Sequence, residues 1–171
     1  GLDADGKMIA AVTARMETSD SNGGDDSGGH LIFSTKPEAG SFAERMRIDS
    51  SGNVLIGKTV TTLNTEGIRL EGSEGKIECT RDGNVVGTFN RTSSDGTILE
   101  FDKDGSVIGH IGSDNGVCFI QSAGGGNLAG IGFSRTAVAV EPRKNSAFSD
   151  NEVDVGSSTY RFDDVHATNG T

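Results

Sequence analysis

The sequence has no tryptophan, one tyrosine (Tyr160), two prolines (Pro37 and Pro142) and two cysteines (Cys79 and Cys118) in 171 residues. Without Trp and with a lone Tyr, the flat platforms on which sugar rings stack are scarce, so a bound glycan would rest on polar side chains and grooves. The cysteines lie in Ile77-Glu78-Cys79 and Val117-Cys118-Phe119. They imply no disulfide framework and read as small buried hydrophobes. No apolar run is long enough to span a bilayer and no signal-peptide pattern is present. The opening Gly1-Leu2-Asp3 reads as the interior of a longer chain.

Basic clusters are also missing. A formal net charge of −10 repels phosphate backbones and anionic lipid, which sets aside nucleic acid and membrane insertion. Only 33% of residues are hydrophobic and 5% aromatic, against 26 glycines, which is lean for a monomer that must offset chain entropy by burying apolar surface. A core shared between chains supplies what one chain lacks. Disorder is the competing reading, but short β-branched clusters such as Val54-Leu55-Ile56 and Val138-Ala139-Val140 spread along the chain oppose it. Helix signals are weak: the best segment, residues 8–17, alternates equally well as a strand. The expected fold class is therefore all-β. With so little proline protecting strand edges, a closed oligomer would cover them.

A short pattern recurs four times: an apolar residue, two variable positions, Asp or Ser, Gly, one position, then Val or Met. It begins at Leu2, Ile48, Cys79 and Phe101 and places its glycine at Gly6, Gly52, Gly83 and Gly105. The spacing predicts hairpins with three-residue loops, a type I turn closed by a left-handed Gly, in which the first apolar residue faces the last. Residues 79–89 also match 101–111, which predicts a repeated structural unit. Asp3-Ala4-Asp5-Gly6 and Asp102-Lys103-Asp104-Gly105 look like pieces of a calcium loop. The bidentate Glu six residues after the Gly is missing, however, because Val12 and Ile111 stand there. Polar, glycine-rich stretches at 19–29, 92–96 and 122–126 read as loops.

No catalytic constellation emerges. His30, His110 and His166 lack metal-ligand spacing partners, no Ser sits in Gly-x-Ser-x-Gly, and Gly124-Gly125-Gly126 lacks the Lys-Ser or Lys-Thr of a phosphate loop. The 25 acidic residues leave a glycosidase-type carboxylate pair open by motif, but a charged surface accounts for them. No metal or cofactor is expected, and the chain reads as a non-enzyme.

Two segments carry a resemblance. Gly29-His30-Leu31-Ile32-Phe33-Ser34-Thr35-Lys36, followed by Glu44-Arg45-Met46-Arg47-Ile48-Asp49-Ser50-Ser51-Gly52-Asn53-Val54-Leu55-Ile56-Gly57, resembles the repeated segment of bacteriophage tail fibres. Residues 154–171, centred on Tyr160-Arg161-Phe162, are similar to the sequence just before the self-cleaving intramolecular chaperone of tail fibres, tail spikes and endosialidases. Together they cover about a third of the chain. The resemblance implies an elongated, intertwined homotrimeric β fibre built of repeated hairpins. It implies a C-terminal chaperone partner that assembles the trimer, assembly in the host cytoplasm, and a final place in the virion tail fibre. The Ser-Asp junction and the lysine-bearing chaperone segment are absent, so no cleavage residue carries over.

On this reading residues 1–66 are a shaft-like segment and 67–171 a distal region. The fibre's core is expected to hold Val54, Ile56, Ile98, Phe101, Ile108, Ile111, Phe119, Ile131, Phe133, Val138 and Phe162, with residues 160–162 as an anchor. Host attachment, to a surface polysaccharide or an outer-membrane protein, would fall to polar loop residues. Those are Asn90, Arg91, Ser93, Ser94 and Asp95 in one loop, with Asn115, Gln121 and Asn127 elsewhere. The alternatives are a rigid non-binding shaft, a glycan-hydrolysing tail spike, and a monomeric secreted β domain.

Overall fold

The computed structural model describes residues 1–16, 28–124, 128–134, 139–145, 147–150 and 152–160. Val138, Arg161, Phe162, Asn127 and His166 lie outside them. The described residues form twelve strands and no helix, so the all-β expectation holds, and Ala10–Met16, within the segment that could be read either way, is a strand. The chain divides into two compact units, Gly1–Thr88 and Phe89–Thr171. The sequence reading puts a boundary between Glu66 and Gly67, where the first sheet in fact runs on.

Unit 1 is a six-stranded antiparallel meander of β1 (Ala10–Met16), β2 (Gly29–Thr35), β3 (Ala43–Ile48), β4 (Val54–Ile56), β5 (Gly67–Glu71) and β6 (Lys76–Thr80). Unit 2 is a second meander of β7 (Gly96–Lys103), β8 (Ser106–Asp114), β9 (Val117–Ser122), β10 (Ala129–Phe133), β11 (Val140–Lys144) and β12 (Ala147–Phe148). Within each sheet consecutive strands pair in order.

Two of the four predicted hairpins form as expected. Leu2 bridges Met8, and Ile48 pairs with Val54. Each loop is closed by the same set of bonds. The Gly6 and Gly52 amides donate to the carbonyls of Asp3 (3.1 Å) and Asp49 (3.0 Å), and both glycines have positive φ. One carboxylate oxygen then accepts two further amides: Asp3 Oδ1 from Asp5 (3.0 Å) and Lys7 (2.7 Å), Asp49 Oδ1 from Ser51 (3.0 Å) and Asn53 (2.8 Å). The pattern therefore folds locally, through an Asp three residues before the Gly.

The third and fourth copies depart from the prediction. In the third, Thr80 stands where that Asp is needed, and its hydroxyl donates instead to the Leu63 carbonyl (2.8 Å). Cys79 is recruited by β5, opposite Ile68, and residues 81–95 carry no strand. In the fourth, Asp104 (φ 52°) and Gly105 (φ 74°) make a two-residue turn with both central residues left-handed, the arrangement that Asp-Gly favours. Asp102 then faces Val107 and Phe101 faces Gly109, so Phe101 does not pair with Val107. Residues 79–89 and 101–111 are accordingly not a structural repeat.

Directly paired residues share a side of an antiparallel sheet. In unit 1 the register lines up two apolar rows across all six strands: Val12-Phe33-Met46-Ile56-Ile68-Cys79 and Ala14-Leu31-Ile48-Val54-Leu70-Ile77. The row between them on the opposite side is Thr13-Ile32-Arg47-Leu55-Arg69-Glu78. Its charges are mutually paired: Arg47 with Glu44 (2.5 Å), Arg69 with Glu71 (2.8 Å) and Glu78 (2.7 Å), and Lys76 with Glu71 (3.0 Å) and Glu78 (3.2 Å). The Arg69 contact, joined by Lys76, holds the Glu78 carboxyl below its ordinary range, and Glu71 and Glu78 raise Lys76.

Unit 2 repeats the contrast. Leu99-Ile111-Ile120-Ile131-Pro142 forms an apolar row, with Glu100-His110-Gln121-Gly130-Arg143-Phe148 on the other side. The burial runs opposite to the usual rule. Among the described residues the buried apolar side chains are Ile32, Leu55 and Phe119, and all three lie on the polar sides, where Arg143 covers Phe119. The apolar rows are left open, to 65% exposure at Val12 and 72% at Ile77. Of the side chains expected in the core, Phe119 is buried and Val54, Ile98 and Ile111 are half-buried. Ile56, Phe101, Ile108, Ile131 and Phe133 are exposed in the single chain, as are both cysteines.

Candidate functional site

The loop entering β7 is held by its own polar groups. Arg91 folds back so that Nε donates to the Ser94 carbonyl (3.0 Å), Nη2 to Ser94 Oγ (3.2 Å) and Nη1 to the Thr97 carbonyl (3.3 Å). Gly96 lies beneath the guanidinium, where a Cβ would stand 3.0 Å from Arg91 Cζ. Ser93 takes a positive φ of 69°, and Asn90 is exposed.

Asp95 ties this loop to the β8–β9 turn. Its Oδ1 accepts from Ser113 Oγ (2.9 Å) and its Oδ2 from the Asn115 amide (2.7 Å). The Ser113 and backbone donors hold its carboxyl below the ordinary value of 3.8. Asn115 (φ 51°) and Gly116 (φ 73°) form the tight turn between Asp114 and Val117, so Asn115 serves the backbone as a left-handed turn residue. Its side chain donates to Asp114 Oδ1 (2.9 Å).

Beside this loop lies a recess of about 290 Å³ walled by Asp95, Gly96, Thr97, His110, Ser113, Asp114, Phe119 and Arg143. Its floor is a stack. The Arg143 guanidinium lies 4.2 Å from the Phe119 ring centroid and 4.7 Å from that of Phe148. Arg143 Nη1 also donates to Asp114 Oδ2 (2.9 Å), and His110 meets Phe119 edge-on at 5.8 Å. Glycines make room for the stack. A Cβ at Gly112 would come within 2.8 Å of Phe119 Cζ, and one at Gly132 within 2.6 Å of Phe148 Cε1.

No family model, curated protein or solved structure matches this chain. The site is therefore argued from its own geometry. Of the eight residues expected at a binding surface, the structure brings Asp95 to the recess wall and Asn115 to the turn beside it. Arg91 and Ser94 hold the adjoining loop closed, and Asn127 lies outside the described residues. Gln121 departs from the expectation: it is buried within the polar side, next to Gly130, whose Cβ would stand 2.8 Å from Gln121 Cβ. It lies within the sheet and not in an exposed loop. The recess residues that the sequence did not single out are Thr97, His110, Ser113, Asp114 and Arg143. The available signal was the set of strand-interior glycines, Gly112, Gly130 and Gly132, which mark close approach.

The recess offers carboxylate, hydroxyl and imidazole groups beside one aromatic edge. Its volume sits at the lower edge of the roughly 300–1,000 Å³ usual for small-molecule sites, enough for about one sugar ring. A carboxyl held ionised, as Asp95 is, suits hydrogen bonding to hydroxyls; it has the charge state of a glycosidase's nucleophile or base and not that of its general acid.

The Asp95 bonds have a measurable pH signature. Because its folded-state pKa is depressed, the stabilisation is complete above the ordinary value of 3.8 and is lost as pH falls through the folded value. Asp95→Asn, which cannot accept both bonds, is expected to lower the urea midpoint at pH 7, with the gap to wild type narrowing below pH 3.8. A gap independent of pH would contradict the assignment.

Proposed function

We propose that the chain is a homotrimeric all-β region of a bacteriophage tail fibre, near its tip, that holds a receptor on the host envelope. The observation that carries this reading is the inverted burial. Each sheet is finished on its charged side and unfinished on its apolar side, which is how a chain looks when its core is completed by symmetry mates. The tail-fibre-like segments at residues 29–57 and 154–171 supply the class. The recess and the exposed Asn90 form the receptor face, with a surface polysaccharide or an outer-membrane protein as receptor. On the same reading the chain is assembled with its C-terminal chaperone in the host cytoplasm and ends in the virion.

A shaft without receptor contact is the second reading. It is favoured by the way Arg91, Ser94 and Asp95 spend their hydrogen bonds on their own loop. Light scattering at low micromolar concentration is expected to give three times the 17.7 kDa chain mass, and a monomer would sink the fibre reading. Thr97→Ala with His110→Ala is expected to weaken adsorption to host cells about tenfold, the loss of roughly one good polar contact. Undiminished adsorption by a trimer of normal stability would assign the segment to the shaft.

A further inference from the structure

Among the described asparagines Asn115 precedes a glycine, whereas Asn53, Asn64, Asn84, Asn90 and Asn145 precede Val, Thr, Val, Arg and Ser. The distinction is chemical. The backbone nitrogen that follows an asparagine can attack its side-chain amide carbon, and a glycine leaves that approach free of any side chain. Asn115 also sits where such a reaction matters, at the turn tied to the recess wall. Two features hold that turn closed. Asn115 and Gly116 are both left-handed, at φ 51° and 73°, between the paired Asp114 and Val117. The Asp95 carboxylate accepts the Asn115 amide (2.7 Å), while Asn115 Nδ2 donates to Asp114 Oδ1 (2.9 Å). The Gly116 amide adds to the donors that keep Asp95 ionised. Ring closure requires the peptide between Asn115 and Gly116 to swing out of this arrangement and the Asn115 side chain to leave Asp114, so the reaction passes through an opened turn.

We propose that Asn115-Gly116 is a self-modification site whose rate is set by the Asp95 clamp and whose products dismantle the turn beside the recess. The Gly116 nitrogen bonds to Asn115 Cγ as the Cγ–Nδ2 bond breaks; the attacking nitrogen gives up its proton, and Nδ2 leaves as ammonia. Water then opens the five-membered ring at one of its two carbonyls, yielding either aspartate or isoaspartate, in which the main chain runs through the side-chain carbons. Ammonia leaves, water enters, and no oxidant or further reactant takes part. Either product puts a new carboxylate next to Asp95 and Asp114, where like charges repel. The isoaspartate also lengthens a two-residue turn by one carbon, which a left-handed pair closing the same ladder does not accommodate. The recess accordingly loses its wall as the protein ages. The modification stands on the turn geometry, and its effect on attachment alone rests on the receptor reading.

The test incubates the native protein, the urea-unfolded chain and the Asp95→Ser variant at mildly alkaline pH, and follows the peptide that carries Asn115 by mass spectrometry for the replacement of its amide by a carboxyl group. Serine is chosen because Asp95→Asn would itself place an asparagine before Gly96. The native turn is expected to react about a hundredfold more slowly than the unfolded chain, and Asp95→Ser about tenfold faster than the native turn, because losing the clamp raises the opened population. Ser113→Ala removes the hydroxyl that donates to Asp95 Oδ1 (2.9 Å) and leaves the carboxylate in place, so a smaller acceleration is expected. This second variant decides the matter if Asp95→Ser does not fold. Equal rates in the native and unfolded chains, or an unchanged rate in the folded variants, would overturn the proposal. The modified fraction, separated by anion exchange through its extra charge, is expected to adsorb to host cells about tenfold more weakly. Undiminished adsorption by that fraction would leave the modification site standing and remove the recess from the receptor reading.

Discussion

Arg143→Ala is expected to lower stability by about 3–5 kcal/mol, chiefly the cost of emptying the space that a buried side chain fills between two rings, with the loss of its ion pair to the part-exposed Asp114 added. Arg143 is 1% exposed, sandwiched between Phe119 and Phe148 and bonded to Asp114. Removing it deprives Asp114 of this ion pair and opens a cavity on the polar side of the second sheet. Arg143→Lys is expected to recover little, because an ammonium cannot lie flat between two rings while reaching the same carboxylate. The check is the urea midpoint at fixed protein concentration, since subunit association contributes to it. With a slope of roughly 1–3 kcal/mol per molar urea, the midpoint falls by about 1 M or more. A shift under about 0.3 M would mean that Arg143 is an ordinary surface residue.

The second large effect is expected at Gly112. An added Cβ would stand 2.4 Å from the Gly96 carbonyl oxygen and 2.8 Å from Phe119 Cζ. One obstacle is backbone of the paired strand, so no rotamer change relieves it. Gly112→Ala is expected to cost about 3 kcal/mol, the upper end of overpacking. Gly52→Ala is the comparison. Gly52 has φ +80° and nothing within 4 Å of the added carbon, so its cost is conformational alone, about 1 kcal/mol. The two midpoints, measured side by side, separate crowding from backbone strain. Equal losses would show that the close packing around Phe119 has no energetic consequence.

Much of the sheet structure was legible along the chain. Alternation at Ile68-Arg69-Leu70 and Ile77-Glu78-Cys79 marks strands with one apolar side. The Asp and Gly spacing of the first two hairpins encodes loops whose hydrogen bonds all fall within seven residues. The other two copies depart for different reasons: Thr80 lacks the carboxylate that Asp3 and Asp49 supply, whereas the fourth copy keeps Asp102 but closes in a two-residue turn on Asp104-Gly105, although Asp5-Gly6 in the first copy carries the same pair in the wider loop. The recess was barely legible. Asp95 was among the candidates, but its partners Ser113 and Asn115 are 18 and 20 residues away, and Asp114 meets Arg143 across 29.

By itself the sequence determined the all-β class, the alternation that makes each sheet two-sided, and the two hairpins whose bonds are local. The tertiary structure decided which alternating positions line up into continuous rows, that Gln121 lies buried while Ile77 lies open, and that Arg143 lies across two aromatic rings. Those outcomes depend on how neighbouring strands align in register, which alternation within each strand does not specify. A strand shifted by one residue turns every side chain to the other side.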